Sequence, residues 1–277
     1  MRPAWINKKI DFRAMHATES MLGGLRLHTV CHQARCPNIS ECFARGTATF
    51  MILGDACTRS CRFCGVTGGK PAAEDPGEPE RVAEAVGRMG IRHAVITSVT
   101  RDDLDDGGAA LFASTVRAVR NAVPGASIEV LVPDFRGDES SVRTVVDAGP
   151  DIFGHNIETV PRLYESMNRR EYARSIGVLA TARKLSPLLR TKSAIMLGLG
   201  ETGDQVIGAL RDLRGAGCDY LSIGQYLQPD RSCVPVTEYV SPERFLEYGD
   251  LAREMGFSHV ESGVYVRSSY MAEKYNE

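Results

Sequence analysis

The 277-residue sequence lacks three features that would each indicate a broad class of protein. No stretch approaches the ~18 consecutive apolar residues of a membrane span. The opening segment MRPAWINKKIDF lacks the apolar core of a signal peptide. There is no excess of positive charge, since 33 Lys and Arg oppose 35 Asp and Glu. We therefore expect a cytoplasmic protein with no membrane partner and no nucleic-acid partner bound through bulk charge.

Cysteine is scarce over most of the chain but concentrated in one part of it. Six of the eight cysteines fall within residues 31–64. In a reducing compartment such clustering indicates metal binding or catalysis rather than disulfides. The composition is otherwise that of a globular protein, with 43% hydrophobic and 25% charged residues.

From about residue 48, short β-branched runs alternate with amphipathic helical stretches. The predicted strands are 48–53, 93–98, 127–132, 151–155, 191–197 and 220–224. The predicted helices between them are 78–90, 109–122, 138–149, 174–185 and 204–217. This order predicts an α/β fold with a parallel sheet, either open or closed into a partial six-stranded (β/α) barrel of the TIM type.

The segments on either side of the predicted barrel have different character. The N-terminal one shows little periodicity and is interpreted as an extension. The C-terminal one begins with a predicted helix over 241–257, with a serine N-cap and proline at its first position, and continues into a short strand, SHVES. The predicted division is an N-terminal extension (1–47), a barrel (48–240) and a C-terminal helix and tail (241–277).

The stretch CTRSCRFC places Cys57, Cys61 and Cys64 directly after the first predicted strand. Three thiolates this close together can hold three irons of a 4Fe–4S cluster and leave the fourth iron open to a small molecule. This arrangement is typical of the radical S-adenosylmethionine (SAM) enzymes. The alternative is a zinc knuckle, although zinc favours paired CxxC ligands.

A second group, Cys31, Cys36 and Cys42, precedes it with a less specific spacing. Two zinc-based alternatives are open: a site completed by His28 or His32, and a binuclear module shared with the other three cysteines. A DNA-binding zinc module is expected in a small basic domain, whereas this chain is large and slightly acidic.

Taken together, the two groups of cysteines resemble one family, the lipoyl synthases. The segment HTVCHQARCPNISECFARGTATFMILGDACTRSCRFCGV carries most of the resemblance. The other matching segments are AVITSVTRDDLDDGGAALFA, IEVLVPDF, HNIETVPRLY, AIMLGLGE, LSIGQYLQP and VRSSY. The resemblance therefore covers nearly the whole chain.

The resemblance implies two 4Fe–4S clusters. Cys57, Cys61 and Cys64 would hold the one that cleaves SAM, and Cys31, Cys36, Cys42 and Ser269 would hold an auxiliary cluster. For these last four residues to meet, the N-terminal and C-terminal extensions would both have to close the barrel mouth. Serine is a hard donor among soft thiolates and should leave easily, which suits a cluster whose sulfide is consumed. Arg267 would stabilise the released oxygen or a substrate charge. On the residues alone, RSSY favours a solvated turn, and Arg267 is equally compatible with a surface salt bridge.

Polar residues after the second and fourth predicted strands are candidates for SAM binding. By resemblance to radical SAM enzymes, Thr97 and Ser98 would lie near the amino group of SAM. Asn156 and Glu158 lie two residues apart in an extended segment and would therefore share a side that can bind the ribose or amino group. The alternative for Asn156 is to cap a helix over 157–166.

The stretch GLGETG (198–203) matches the GxGxxG dinucleotide fingerprint. It follows the fifth predicted strand rather than the first, which argues against a Rossmann domain. The resemblance implies instead that Gly198 and Gly200 let the backbone approach the adenosine of SAM. At Cys233 the family usually has histidine, so that cysteine is assigned no role.

The implied reaction is insertion of two sulfur atoms at carbons six and eight of an octanoyl chain. The chain would be amide-linked to a lysine of a lipoyl carrier protein or lipoyl domain, and an electron donor such as ferredoxin or flavodoxin would be needed. An unactivated C–H bond gives acids, bases and nucleophiles nothing to act on, so a radical cofactor carries the step. The alternatives are another radical SAM sulfur-inserting enzyme and a non-enzymatic zinc-binding barrel.

Overall fold

The computed structural model describes residues 3–6, 8, 12–45, 47–169 and 171–272. Its main element is an eight-stranded sheet in which spatial order follows chain order. The strands are β1 (His28–Thr29), β2 (Thr49–Ile52), β3 (His93–Ser98), β4 (Ser127–Leu131), β5 (Ile152–Gly154), β6 (Arg190–Leu197), β7 (Tyr220–Gln225) and β8 (His259–Gly263). All neighbours are parallel except β1, which runs antiparallel to β2.

The six strands predicted from the alternating pattern are β2 to β7, and the α/β class with a partial-barrel sheet is confirmed. The flanking segments add one strand to each edge. β8 corresponds to the predicted SHVES strand, whereas β1 was not predicted, because two residues carry no detectable alternation.

Nine α-helices lie within the described ranges. They are α1 (Phe12–Gly24), α2 (Val30–Gln33), α3 (Ile39–Ala44), α4 (Glu78–Arg88), α5 (Ala109–Ala122), α6 (Glu139–Val146), α7 (Tyr172–Leu185), α8 (Gly203–Gly215) and α9 (Pro242–Glu254). The last six match the predicted helices. None of the helices in this part of the chain is both long and apolar enough to cross a membrane.

The N-terminal extension is more ordered than its weak periodicity predicts. It contains three helices, and Leu22, Ile39 and Phe43 are buried in the same core as β2, α4 and α5. Short helices gain most of their stability from such tertiary packing rather than from propensity. The extension is therefore packed against the first half of the barrel.

Charged side chains are buried among the strands at the end opposite the strand C-termini. Lys192 Nζ lies 2.8 Å from each carboxylate oxygen of Glu129, and His93 Nε2 lies 3.1 Å from Glu129 Oε2. All three residues are at least 96% buried. The lysine and histidine lower the pKa of Glu129 against the opposing effect of burial. The carboxylate is thus kept ionised by its partners.

Candidate active site

A cavity of about 310 Å³ opens where the parallel strands end, the edge at which α/β barrels place their chemistry. Both cysteine groups reach it. The predicted site residues that line it are Cys31, Cys36, Cys57, Cys61, Cys64, Thr97, Ser98, Asn156, Glu158, Arg267 and Ser269. Cys42, Gly198 and Gly200 are not among its lining residues.

The loop that carries Cys57, Cys61 and Cys64 follows β2 and is held by its backbone. Cys57 Sγ accepts hydrogen bonds of 3.4 Å from the amides of Arg59 and Thr100. A 3.0 Å bond from the Cys64 amide to the Cys61 carbonyl forms a tight turn between these two cysteines. These hydrogen bonds fix the conformation of the loop that carries the three thiols.

Arg59, inside this loop, forms ion pairs with carboxylates after two neighbouring strands. Its Nε and Nη2 lie 2.8 Å from the two oxygens of Asp102, beyond β3. Its Nη1 and Nη2 lie 2.9 and 2.6 Å from those of Asp134, beyond β4. The guanidinium is well buried and holds the pKa of Asp134 at about 2, against the effect of burial. The sequence did not predict these two ion pairs, because an arginine between cysteines gives no local sign of which carboxylates it will contact.

The far side of the same loop is also anchored. Asn168 Nδ2 donates to the carbonyl and hydroxyl of Ser60, at 2.9 and 2.8 Å. The Arg62 amide donates to the carbonyl of Met167. Cys233, to which no role was assigned, is buried and its thiol donates to the Cys64 carbonyl at 3.4 Å. Cys233 thus supports the loop.

The first group of cysteines lies on two short N-terminal helices and, for Cys36, in the loop between them, and the C-terminal tail contacts this segment. Cys31 lies in α2 and Cys42 in α3. Between them, Asn38 Nδ2 donates to the Tyr265 carbonyl at 2.7 Å. Beside Cys42, Glu41 Oε1 accepts from the Tyr270 hydroxyl at 3.1 Å. The two ends of the chain therefore meet at the mouth, as the sequence predicts.

The RSSY segment is partly buried and makes specific contacts rather than forming a solvated turn. Ser269 Oγ accepts a 2.7 Å hydrogen bond from Thr49 Oγ1, while Ser268 Oγ donates to Asn156 Oδ1 at 3.0 Å. Arg267 Nη1 donates to the main-chain carbonyls of residues 264 and 266. Its described hydrogen bonds are thus to carbonyl oxygens and not to a carboxylate.

The segment after β5 does not begin a helix, so the interpretation of Asn156 as a helix cap is wrong. Within 157–166 the structure has only a 3-10 turn, Pro161–Leu163. Glu158 instead forms a bridge with Ile195 of β6, with a positive φ of 66°. Asn156 Nδ2 donates to Glu158 Oε1 at 3.2 Å. Continued pairing with β6 is what keeps both side chains at the cavity.

Three polar atoms of residues that line the cavity are buried without a hydrogen-bond partner among the described residues: Ser98 Oγ, His155 Nε2 and Arg169 Nε. His155 Nδ1 lies 2.9 Å from the Val132 carbonyl and must carry the proton, so Nε2 is an acceptor. Burial, aided by Arg169, lowers the pKa of His155 to about 4. These three atoms fit a polar ligand in the cavity. His155 was not singled out from sequence, and the only available signal was its place at a strand end.

The hydroxyl of Thr97, unlike that of Ser98, already has a partner, because Thr97 Oγ1 donates to the Leu131 carbonyl at 2.8 Å.

The GLGETG segment joins β6 to α8, which begins with a capping box at Thr202 and Gln205. Gly198 has a φ of 100°, and a Cβ there would lie 2.3 Å from Gln225 Nε2 and 2.4 Å from the Glu238 carbonyl oxygen. Glycine at 198 is therefore required by packing. The Rossmann alternative does not fit, because the segment follows the sixth strand of the sheet.

The cysteine thiols interact within their own groups. Burial, followed by the neighbouring thiols, raises the pKa of Cys31 and Cys42 to about 12. Burial also raises the pKa of Cys61. These thiols are protonated near neutral pH, so binding iron must displace their protons.

The sequence predicts iron–sulfur clusters at these cysteines, with zinc as the alternative. All eight cysteines are free. Within the described ranges, no three His, Cys, Asp or Glu side chains are grouped closely enough to hold one metal ion. A zinc ion needs its ligands about 2.3 Å away around one centre, whereas each thiolate of a cubane binds a different iron.

Comparisons with known proteins agree with this arrangement. The family model of the Radical SAM superfamily matches residues 51–213. Membership of that superfamily implies a 4Fe–4S cluster and SAM as cofactors. The crystal structure of methylornithine synthase (PylB) has a TM-score of 0.60 at 14% identity, covering 88% of this chain and 70% of that one. That of Streptococcus suis SuiB bound to its precursor peptide has a TM-score of 0.61 at 12% identity, covering 82% and 52%. At such identities these structures support the fold alone.

Curated relatives extend the match along the whole chain. A lipoyl synthase of Geobacter metallireducens is 56% identical over 275 residues, covering 99% of this chain and 97% of the relative. One of Rubrobacter xylanophilus is 53% identical over 278 residues, covering 100% and 87%. Matches of this identity and coverage establish kinship beyond the barrel, including both extensions. The chain belongs to the lipoyl synthase family of the Radical SAM superfamily.

Proposed function

We propose that this chain inserts sulfur at carbons six and eight of an octanoyl chain that is amide-linked to a lysine of a lipoyl carrier protein or lipoyl domain. The observation that carries the proposal is the meeting of two separate cysteine groups and Ser269 around one cavity. A radical enzyme that only cleaved SAM would need one such group. An electron donor such as ferredoxin or flavodoxin, and a cytoplasmic location, complete the proposal.

Each cysteine group has its own part in this proposal. Cys57, Cys61 and Cys64 hold the 4Fe–4S cluster that binds SAM, and Cys31, Cys36, Cys42 and Ser269 hold the auxiliary one. When bound, these groups supply the radical that removes hydrogen from the acyl chain and the sulfide that replaces it. The chain's division into residues 1–47, 48–240 and 241–277 then separates auxiliary-site cysteines, SAM-binding barrel and closing tail.

The remaining residues position and shield the reactants. Ser98, Asn156 and Glu158 present polar atoms to SAM, and Thr97, whose hydroxyl is already bonded to a carbonyl, shapes the site beside them. Gly198 and Gly200 are proposed to let the backbone approach adenosine. Apolar side chains on the cavity wall suit an acyl chain and exclude water. They include Val30, Met51, Val66, Leu131, Val132 and Met196.

At the auxiliary site, serine and arginine have linked roles. Thr49 donates to one lone pair of Ser269 Oγ, and the oxygen keeps a further lone pair with which to bind a metal. Arg267 lines the same cavity and places positive charge beside Cys36. Burial lowers the pKa of Arg267, and the nearby Cys36 thiol opposes this effect. A cation there stabilises the oxygen when it leaves a metal.

The deciding experiment is anaerobic reconstitution followed by incubation with SAM, a reductant and an octanoyl-lysyl peptide. The proposal expects about eight irons with little zinc per chain and a mass gain of two sulfur atoms. Zinc without labile sulfide would support the zinc-binding barrel instead. About four irons with SAM cleavage but no sulfur gain would indicate a different radical reaction.

A Ser269→Ala variant tests the auxiliary site separately. It should still cleave SAM, because Cys57, Cys61 and Cys64 are untouched, but should form no lipoyl product. Unchanged lipoyl formation would contradict the role of Ser269. Ser232→Ala is a matched control, because its exposed hydroxyl bonds only locally to Asp230.

A further inference from the structure

The two adjacent serines of the tail contact opposite parts of the cavity. Ser269 accepts from Thr49, which precedes the cysteine loop on β2. Ser268 instead donates 3.0 Å to Asn156 Oδ1, beyond β5 and across the sheet. Nothing in the sequence pattern assigns Ser268 a role, since only the second serine of RSSY matches a family ligand.

The side-chain amide of Asn156 is held at both of its ends. Its nitrogen donates to Glu158 Oε1 at 3.2 Å, and its oxygen accepts from the Ser268 hydroxyl at 3.0 Å. Without the serine, the amide would lose the contact at its oxygen and could turn about its side-chain bonds away from this position. The Asn156 main chain is held separately, through its carbonyl, by Arg169 Nη2 at 3.0 Å. The Ser268 hydroxyl is therefore one of two side-chain contacts that fix the position of the Asn156 amide.

The main chain of Glu158, the other partner of the Asn156 amide, is fixed by hydrogen bonds to β6. Its amide donates to the Ala194 carbonyl at 3.1 Å, and its own carbonyl accepts from the Met196 amide at 2.8 Å. Two backbone hydrogen bonds to β6 thus maintain its positive φ. The Asn156 side chain is consequently the adjustable part of the pair, and the tail sets it.

We propose that Ser268 is a positioning residue for the SAM site, so that the tail carrying Ser269 completes the auxiliary site and orders the SAM site together. This inference rests on the proposed function, in which Asn156 and Glu158 contact SAM. A tail displaced from the barrel would disturb both sites at once. SAM binding and closure of the auxiliary site are then linked through residues 268 and 269, and by thermodynamic linkage each favours the other.

The test measures SAM affinity by calorimetry on the anaerobically reconstituted full chain. Ser268→Ala should weaken SAM binding about three- to tenfold, the usual effect of one hydrogen bond. Ser268→Thr keeps a hydroxyl and should bind within twofold of the unmodified chain, and Ser232→Ala should match it. Iron content and melting temperature, measured in parallel, establish that each variant is folded and loaded.

A double-mutant cycle separates positioning from general structural damage. If Ser268 acts through Asn156, then Ser268→Ala should have no further effect on SAM affinity in an Asn156→Ala background. Additive losses, or a Ser268→Ala chain that binds SAM normally, would overturn the proposal. Should Ser268→Ala fail to fold, Ser268→Thr and Asn156→Ala carry the test, and equal SAM affinities in these two would overturn it.

Failure of this inference is distinguishable from failure of the proposed function. An unmodified chain that loads two clusters and binds SAM, with a normal Ser268→Ala variant, rejects only the positioning role. An unmodified chain that binds no SAM after reconstitution rejects the proposed function itself.

Discussion

Thr49 Oγ1 donates a 2.7 Å hydrogen bond to Ser269 Oγ, joining residues 220 positions apart in the chain. Thr49 begins β2 and is 5% exposed, so a buried strand residue supports the tail at Ser269. Its hydrogen bonds also lower the pKa of Cys31, against the larger effect of burial. One threonine thus contacts two proposed ligands of the auxiliary cluster.

Thr49→Val should weaken the auxiliary site without touching a proposed ligand. Valine keeps the β-branched shape but removes the hydroxyl, so Ser269 loses the donor that orients its oxygen. We expect the auxiliary cluster to lose iron to a chelator several times faster. Thr49→Ser should behave as the unmodified chain. Measurement in a Cys57→Ala/Cys61→Ala/Cys64→Ala background isolates this cluster, and equal rates of iron loss would contradict the role of Thr49.

Arg59→Lys should destabilise the loop of the SAM-cleaving cluster. Lysine retains the charge but cannot pair bidentately with Asp102 and Asp134 together, and Asp134 is 4% exposed. Loss of one partner from a buried ion pair costs about 3–5 kcal/mol, and we expect lysine to recover only part of it. Chemical unfolding and SAM cleavage rates should both show the defect. Arg62→Lys, in the same loop but exposed and bonded to one carbonyl, is the matched control.

These contacts mark the boundary of what the sequence could predict. Strands β2 to β7 and helices α4 to α9 followed from residue periodicity, and the cysteines followed from spacing, since both signals are local. The pairing of Arg59 with Asp134 and of Ser268 with Asn156 depends on how distant segments meet in space. No local pattern encodes such partners, so they emerge only from the folded chain.

His155 should make the folded protein less stable in mild acid. Its folded-state pKa of about 4 lies below the ordinary value of 6.5, so between these values the unfolded chain binds more protons. Stability is therefore unaffected above pH 6.5 and falls as the pH decreases toward 4. Between pH 7.5 and 5.5 the loss attributable to this residue should be about 1 kcal/mol.

Urea unfolding of His155→Gln at the two pH values tests this assignment. Glutamine does not titrate, so the difference in unfolding free energy between variant and unmodified chain should change by about 1 kcal/mol from pH 7.5 to 5.5. His16→Gln is a suitable control, because His16 is exposed. A pH-independent difference for His155→Gln would show that the imidazole titrates alike in the folded and unfolded chains.

Lys192→Met should cost the most stability of any single change considered, because Glu129 has no exposed surface at all. The carboxylate would keep only His93 at 3.1 Å and lose both 2.8 Å contacts with the ammonium group. Breaking a buried ion pair in this way costs about 3–5 kcal/mol, whereas replacing both partners by apolar residues is often neutral. Lys192→Met/Glu129→Leu should therefore unfold at a higher urea concentration than Lys192→Met alone. Lys184→Met, at an exposed pair with Glu139, should change stability by less than about 1 kcal/mol. A double variant no more stable than Lys192→Met would contradict this expectation. It would mean that the barrel needs the charged pair itself, and not merely the absence of an unpaired buried charge.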